Sequence, residues 1–96
     1  MIEYIYDVIR ATSGQPFQIT AKLTKDDNTP ITTPCYLAIY DNNEENIVSI
    51  EGNHVGDGLW VFPVHADITK GRKGKHWYCL GNDGVSLCFK KPLYLK

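Results

Sequence analysis

The residues of this chain that could carry nucleophilic or metal chemistry are three histidines and three cysteines. The closest pair of the two types is His76 and Cys79, three positions apart. Side chains three positions apart in a β-strand point to opposite faces, so this spacing argues against a Cys–His dyad or a shared metal ion. No histidine lies in a His-Glu-x-x-His motif, and we expect His54, His65 and His76 in loops or on the surface. The sequence therefore predicts no catalytic residue, no metal and no cofactor.

The glycines and acidic residues also lack the spacing of a binding loop. No Gly-x-Gly-x-x-Gly or Gly-Lys-Ser/Thr run follows a strand, which disfavours a nucleotide site. The acidic run 41–46 lacks the spaced ligands and the glycine of a calcium loop. We interpret this run as a solvated turn, and we predict no small-molecule substrate.

A cluster of four basic residues is the strongest local charge signal, and it consists of Lys70, Arg72, Lys73 and Lys75. We rank three interpretations in the order solvated loop, contact with an acidic protein surface, and contact with nucleic acid. Nucleic acid comes last because no basic strand face rich in aromatic residues is evident in the sequence.

The composition predicts one soluble globular domain over residues 1–96. The apolar share is 43%, the charged share is 22% and the formal net charge is −1, so bulk charge nominates no partner. No apolar run is long enough to span a bilayer, and the opening Met1–Tyr4 has neither a basic nor a hydrophobic signal segment. We therefore expect no membrane partner and synthesis in the cytoplasm.

Three cysteines are an odd number, which fits poorly with the disulfide framework of a small secreted domain. We expect buried thiols. One alternative remains, because a two-residue turn at Asp83-Gly84 would place Cys79 opposite Cys88 in a hairpin, where the two could form a disulfide or, with a distant histidine, a zinc site.

The elements that must position these residues are short strands separated by turn residues. The clearest is 17–23, where Phe17, Ile19, Ala21 and Leu23 alternate with polar residues, as in a strand with one buried face. The same pattern predicts further strands at residues 35–40, 47–50, 59–64, 77–80 and 85–89.

The segments between these strands complete the predicted fold. We expect a flexible loop over 52–58, a single helical turn near 66–70 anchored by Ile68, and an interruption of pairing at 90–92. Residues 1–10 and 91–96 are interpreted as terminal strands or arms. The prediction is an all-β antiparallel sandwich of about seven or eight strands.

Several segments, read in order, resemble the small immunoglobulin-like β-sandwich of tailed-bacteriophage structural proteins. The resemblance is carried by residues 13–19 (SGQPFQI), 27–31 (DNTPI), 58–62 (GLWVF), 66–69 (ADIT), 74–78 (GKHWY) and 83–84 (DG). Gln15 stands where that family often has an acidic residue. The resemblance covers about residues 10–96.

The resemblance implies a virion structural or assembly subunit of the tail, baseplate or head–tail junction, present in several copies and without catalysis. Its expected partners are further copies of itself and other virion proteins, which join through edge strands and aromatic side chains. For the terminal residues, packing within the chain is the alternative to an interface. The candidate interface residues are Tyr4, Tyr6, Ile9, Lys70, Arg72, Lys73, Lys75, Leu93, Tyr94 and Leu95.

A second interpretation is a monomeric cytosolic binding module, such as a phage inhibitor of a host protein. In that case the basic segment 70–75 would contact an acidic target.

Overall fold

The computed structural model describes residues 2–4, 9–25, 27–82, 85–86 and 90–96. These residues form ten strands and one short helix. In chain order they are β1 (Ile2–Tyr4), β2 (Ile9–Ala11), β3 (Phe17–Leu23), β4 (Cys35–Tyr40), β5 (Asn46–Glu51), β6 (Asn53–Gly56), β7 (Leu59–Val64), α1 (Ala66–Thr69), β8 (Gly74–Asn82), β9 (Val85–Ser86) and β10 (Lys91–Leu95). The count exceeds the expected seven or eight because several of the strands are very short.

The strands form two sheets. The smaller has the order β1-β3-β7-β6, and the larger has the order β2-β10-β8-β4-β5, with β9 paired to β8. All pairs are antiparallel except β10 with β2. The orders β1-β3-β7-β6 and β4-β8-β10 correspond to those of the immunoglobulin fold. The predicted all-β sandwich is confirmed.

The core lies between the sheets and follows the alternation in the sequence. The inward residues of β3, β4 and β7 are buried, as predicted for Ile19, Ala21 and Leu23. Trp60 also donates its indole N–H to the carbonyl oxygen of Ile31 at 2.9 Å. A buried indole needs such an acceptor, so this bond fixes the loop between β3 and β4 onto the core.

The predicted helical turn is present as α1, but its buried residue is Thr69 rather than Ile68. The Thr69 hydroxyl accepts a hydrogen bond from the Gly14 amide at 3.0 Å, and its carbonyl accepts one from the Ser13 hydroxyl at 2.6 Å. Ile68 is half-buried and packs against the core. A four-residue helix has too few internal bonds to be stable alone, so these contacts hold it in place.

Residues 52–58 are not the flexible loop that the sequence indicated. Asn53–Gly56 form β6, which pairs with β7 and makes an edge of the smaller sheet. The turn closes at Gly58, whose φ is +78° and where a Cβ would lie 2.8 Å from the Leu23 carbonyl oxygen. The glycine is therefore required both for the backbone angle and for the close approach to β3.

Both ends of the chain contain strands, one of the two expected alternatives, but their pairing differs from the expectation. β10 already begins at Lys91, and Pro92 lies opposite Trp77, so residues 91 and 92 do not interrupt the pairing. At the other end, β1 joins the smaller sheet and β2 the larger one, so the first ten residues contribute to both sheets rather than forming one arm.

The last hairpin has the predicted register where the structure describes it, with Gly81 opposite Ser86 and Asn82 opposite Val85. Asp83, Gly84 and Cys88 lie outside the described residues. Cys79 is buried, as expected for a thiol, and the alternative of a disulfide with Cys88 is not tested by the described residues.

Candidate protein-interaction surface

The outward side of the larger sheet carries aromatic residues from three strands. In β4, Leu37 and Ile39 are buried while Tyr36 and Tyr40 point away from the core. Alternation likewise turns Trp77 outward in β8 and Tyr94 outward in β10, because their neighbours in each strand are buried. We call Tyr36, Tyr40, Trp77 and Tyr94 the aromatic face.

The strand register places Tyr40 directly opposite Trp77 and Tyr94 diagonally to Trp77, while Tyr36 lies four residues along β4, opposite Gly81. Trp77 lies between Tyr40 on β4 and Pro92 on β10, and Tyr94 lies between Lys75 on β8 and Arg10 on β2. Side chains that lie directly opposite each other on adjacent strands are close enough to be in contact. Residues far apart in the sequence therefore share the outward side of one sheet.

Three of the four rings carry a cation. Arg10 Cζ lies 5.2 Å from the Tyr94 ring centroid. Lys75 Nζ lies 4.2 Å from the centroid of Trp77, and Lys90 Nζ lies 4.4 Å from that of Tyr40. Each cation is attracted by the negative face of the ring. The result is a surface in which flat apolar rings and positive charges are held in fixed relation.

Two polar atoms on this face differ in their hydrogen bonding. The Tyr40 hydroxyl lies 3.7 Å from Cys79 Sγ, which it helps to cover. Trp77 Nε1 is buried and has no hydrogen-bond partner among the residues that the structure describes. Buried N–H groups are normally paired, so this indole is an unused donor on the aromatic face.

Charge is divided across the larger sheet. Arg10 and Lys75 belong to the half formed by β2, β10 and β8, and both are exposed. Lys90, also exposed, precedes β10 but places its Nζ over the Tyr40 ring of β4. Exposed acidic residues belong to the other half, with Glu44 and Glu45 in the turn between β4 and β5. Lys90 Nζ reaches across to within 3.5 Å of Glu44 Oε1. The aromatic face thus lies between a basic half and an acidic half.

The acidic turn has a fixed backbone. Asp41 Oδ1 accepts hydrogen bonds from the amides of Asn43 at 2.9 Å and Glu45 at 3.0 Å, and the Asp41 amide donates to the Glu45 carbonyl at 2.9 Å. This is the expected solvated turn, and it holds the Glu45 side chain at the rim of the sheet.

The predicted interface residues fall into three groups. Leu93 and Leu95 are 0% and 4% exposed and belong to the core with the partly buried Ile9, so the folded chain does not present the two leucines as surface contacts. Tyr94 and Lys75 lie on the outward side of the larger sheet. Three more are exposed in the turn after α1, and they are Lys70, Arg72 and Lys73.

For the two tyrosines near the start of the chain, the interface assignment stays a prediction. Tyr4 ends β1, which pairs with β3, and Tyr6 lies outside the described residues.

The histidines are not grouped. His76 is 5% exposed, which corrects the expectation that it lies on the surface, and its Nδ1 is 3.2 Å from the Gly74 carbonyl oxygen. His54 Nε2 accepts a hydrogen bond from the Gly58 amide at 3.1 Å, and its ring lies 5.1 Å from that of Trp60. Within the described ranges, no three His, Cys, Asp or Glu side chains are placed to hold a metal ion.

One carboxyl group outside this surface has a shifted pKa. The Thr29 hydroxyl and amide donate to Asp27 Oδ1 at 2.6 and 3.1 Å, and they hold the pKa of Asp27 below its ordinary value. The resulting stabilisation of this turn is present at neutral pH and is lost as the pH falls through the lowered pKa.

Comparisons with known proteins support the fold. No family model and no curated protein sequence matches the chain. Among solved structures, the Lin-41 filamin domain is similar with a TM-score of 0.68 and 7% identity, over 100% of this chain and 90% of that one. This likeness is one of fold, and the chain has the immunoglobulin-like architecture of that domain.

Two larger proteins contain a similar fold. The endo-β-1,4-mannanase from Thermotoga petrophila matches with a TM-score of 0.65 and 15% identity over 95% of this chain. The α-2-macroglobulin of E. coli matches with a TM-score of 0.58 and 14% identity over 97% of this chain. The chain spans only 18% and 6% of their lengths. None of the three likenesses indicates a phage origin.

The aromatic face is the feature that sequence reasoning missed. Its rings lie between positions 36 and 94, and only the register of β4, β8 and β10 brings them together. The alternation of Tyr36, Leu37 and Ile39 was the available signal, because it placed the β4 tyrosines on the side away from the aliphatic residues.

Proposed function

We propose that this chain is a non-enzymatic building block that acts through protein–protein contacts made by the aromatic face. The observation that carries the proposal is the presence of Tyr36, Tyr40, Trp77 and Tyr94 on one outward sheet surface, with cations held over three of the rings. Tyrosine, tryptophan and arginine are the residues enriched at the energetic centres of protein interfaces.

The physical reason is that covering these exposed rings with a partner is energetically favourable. Tyr36 is 38% exposed, and large rings lose little conformational freedom when they pack against a partner. Charged residues at the edges of the face, such as Arg10 and Glu45, form the polar rim that interfaces commonly have.

The more specific role proposed is a structural subunit of a tailed-phage virion, present as a homo-oligomer and made in the host cytoplasm. It is supported by the sequence resemblance alone. The competing proposal is a monomeric inhibitor of a host protein. The basic turn favours that one, because Lys70, Arg72 and Lys73 are exposed together and could contact an acidic target.

The proposal is tested by placing a charge on each outer surface of the sandwich in turn. Tyr36→Glu puts a carboxylate at the aromatic face, and Val55→Glu puts one on the smaller sheet, where Val55 is 59% exposed. Neither position is buried, so both variants should keep the fold. We expect Tyr36→Glu to weaken self-association at least about tenfold, since a carboxylate must lose its water to enter an apolar contact.

The measurement is the solution mass by light scattering over a concentration series, with thermal melting as the control for folding. Val55→Glu should behave as the unchanged protein does. A loss of association in Val55→Glu, with Tyr36→Glu unaffected, would assign the contact to the smaller sheet and refute the proposal.

A further inference from the structure

We infer that the occupant of the aromatic face is a second copy of this chain, packed face to face about a two-fold axis that runs along the strands between β4 and β8. This inference rests on the function proposed above. It specifies the partner and predicts which residues meet.

The division of charge selects the second copy. The half of the larger sheet formed by β2, β10 and β8 carries Arg10 and Lys75, and the β4–β5 side carries Glu44, which is paired with Lys90, and Glu45. A uniformly acidic partner would suit only the first half. A partner whose surface also has a basic and an acidic half can place opposite charges over both halves. A second copy of this chain has such a surface.

The direction of the axis follows from the same charges. A two-fold axis parallel to the strands exchanges left and right, so the basic half of one copy faces the acidic half of the other. An axis in the interface but perpendicular to the strands would keep each half over the same half of the other copy, so no basic residue would face an acidic one. Both arrangements keep the strands of the two stacked sheets aligned, as sheets prefer, so the charges alone decide between them.

The register then predicts the contacts. Trp77 and Tyr40 lie opposite each other on β8 and β4, so an axis between these strands brings Trp77 of one copy over Tyr40 of the other. Lys75 lies two residues before Trp77 and therefore approaches the acidic turn of the second copy. Glu45 is the carboxylate we expect there, because Glu44 is already within 3.5 Å of Lys90 in its own chain.

The experiment is a charge reversal with complementation. Lys75→Glu should place like charges together at both symmetric contacts, and Glu45→Lys should do the same. Each variant alone is expected to dimerise at least about tenfold more weakly than the unchanged protein. An equimolar mixture of the two should form a heterodimer at least as tight as the original dimer, because both contacts are then between opposite charges.

Two further variants are controls for a general effect of the charge change and for damage to the fold. Lys22→Glu makes the same charge change at an exposed position of β3 in the smaller sheet and should leave the dimer intact. The double variant Lys75→Glu with Glu45→Lys, in one chain, should restore the homodimer, and melting curves report whether any variant is unfolded. Sedimentation velocity at several concentrations measures all of these.

The outcomes separate this inference from the proposed function. If the reversals have no effect while Tyr36→Glu still dissociates the dimer, the aromatic face is the contact but the two-fold pairing is refuted. A chain that remains monomeric at every concentration also refutes the second copy as occupant. If the dimer persists in Tyr36→Glu as well, both this inference and the proposed surface fail.

Discussion

At the scale of single residues, two glycines with nearly the same backbone angle have different structural roles. Gly14 has a φ of +75° and Gly58 a φ of +78°, so both occupy the left-handed region. A Cβ at Gly14 would meet nothing within 4 Å, whereas one at Gly58 would lie 2.8 Å from the Leu23 carbonyl oxygen. Alanine substitutions at these two positions therefore separate the free-energy cost of the backbone angle from the cost of a steric clash.

We predict that Gly14→Ala lowers the free energy of unfolding by about 1 kcal/mol, the cost of placing alanine in this region. Gly58→Ala should lower it by about 1–3 kcal/mol more, because β3 must move to admit the methyl group. The Leu23 amide donates to the Gly58 carbonyl at 2.7 Å, so movement also strains this bond. Urea denaturation measures both variants, and equal losses would show that the close approach is unimportant.

At the scale of the elements, β10 shows how one strand serves two surfaces. Leu93 is fully buried in the core, while the next residue, Tyr94, points outward beneath Arg10. The strand is held on both sides, since it pairs with β8 and, in parallel, with β2. The sequence-based assignment of both residues to an interface was therefore wrong for Leu93, while for Tyr94 it remains a prediction.

This arrangement predicts that substitutions at the two neighbouring residues affect different properties, stability at Leu93 and self-association at Tyr94. Leu93→Ala should lower the free energy of unfolding by about 2–5 kcal/mol, because it leaves a cavity in the core. Tyr94→Ala should cost about 1 kcal/mol or less in stability but should weaken self-association. Chemical denaturation and light scattering, applied to both variants, measure the two effects. A larger loss of stability in Tyr94→Ala than in Leu93→Ala would contradict the assignment of inward and outward sides.

The elements also show what could be predicted from the sequence. Strict alternation identified β3, β4 and β7 and their buried residues. Apolar residues at every second position indicate a strand with one buried face. β6 was missed because Asn53 and Gly56 have low strand propensity, and only pairing with β7 makes the segment a strand. The burial of His76 could not be predicted, since it depends on which face of β8 packs inward.

At the scale of the whole molecule, the immunoglobulin-like sandwich positions the aromatic face and does not itself define a function. Within the described part of the chain, no helix is long and apolar enough to cross a membrane. What distinguishes this chain is the outward surface of the larger sheet, where aromatic rings lie between basic and acidic halves. Local sequence patterns could not predict it, because its parts come from separate strands and meet only through the register.

The two tryptophans provide the most direct test of the claim that this surface is the contact. Trp77 lies on the aromatic face with an unpartnered indole N–H, whereas Trp60 is 4% exposed and donates its indole N–H to Ile31. Each indole gives its own signal in an amide-correlation NMR spectrum of the ¹⁵N-labelled protein. Trp60 is thus an internal control for changes in the fold.

The measurement is the position of both indole signals as the protein concentration is raised from micromolar to millimolar. We predict that the Trp77 signal shifts progressively, because association changes the surroundings of the indole, while the Trp60 signal stays in place. A Trp77 signal that does not move, while backbone signals of Val55 and Leu59 on the smaller sheet do, would contradict the central claim.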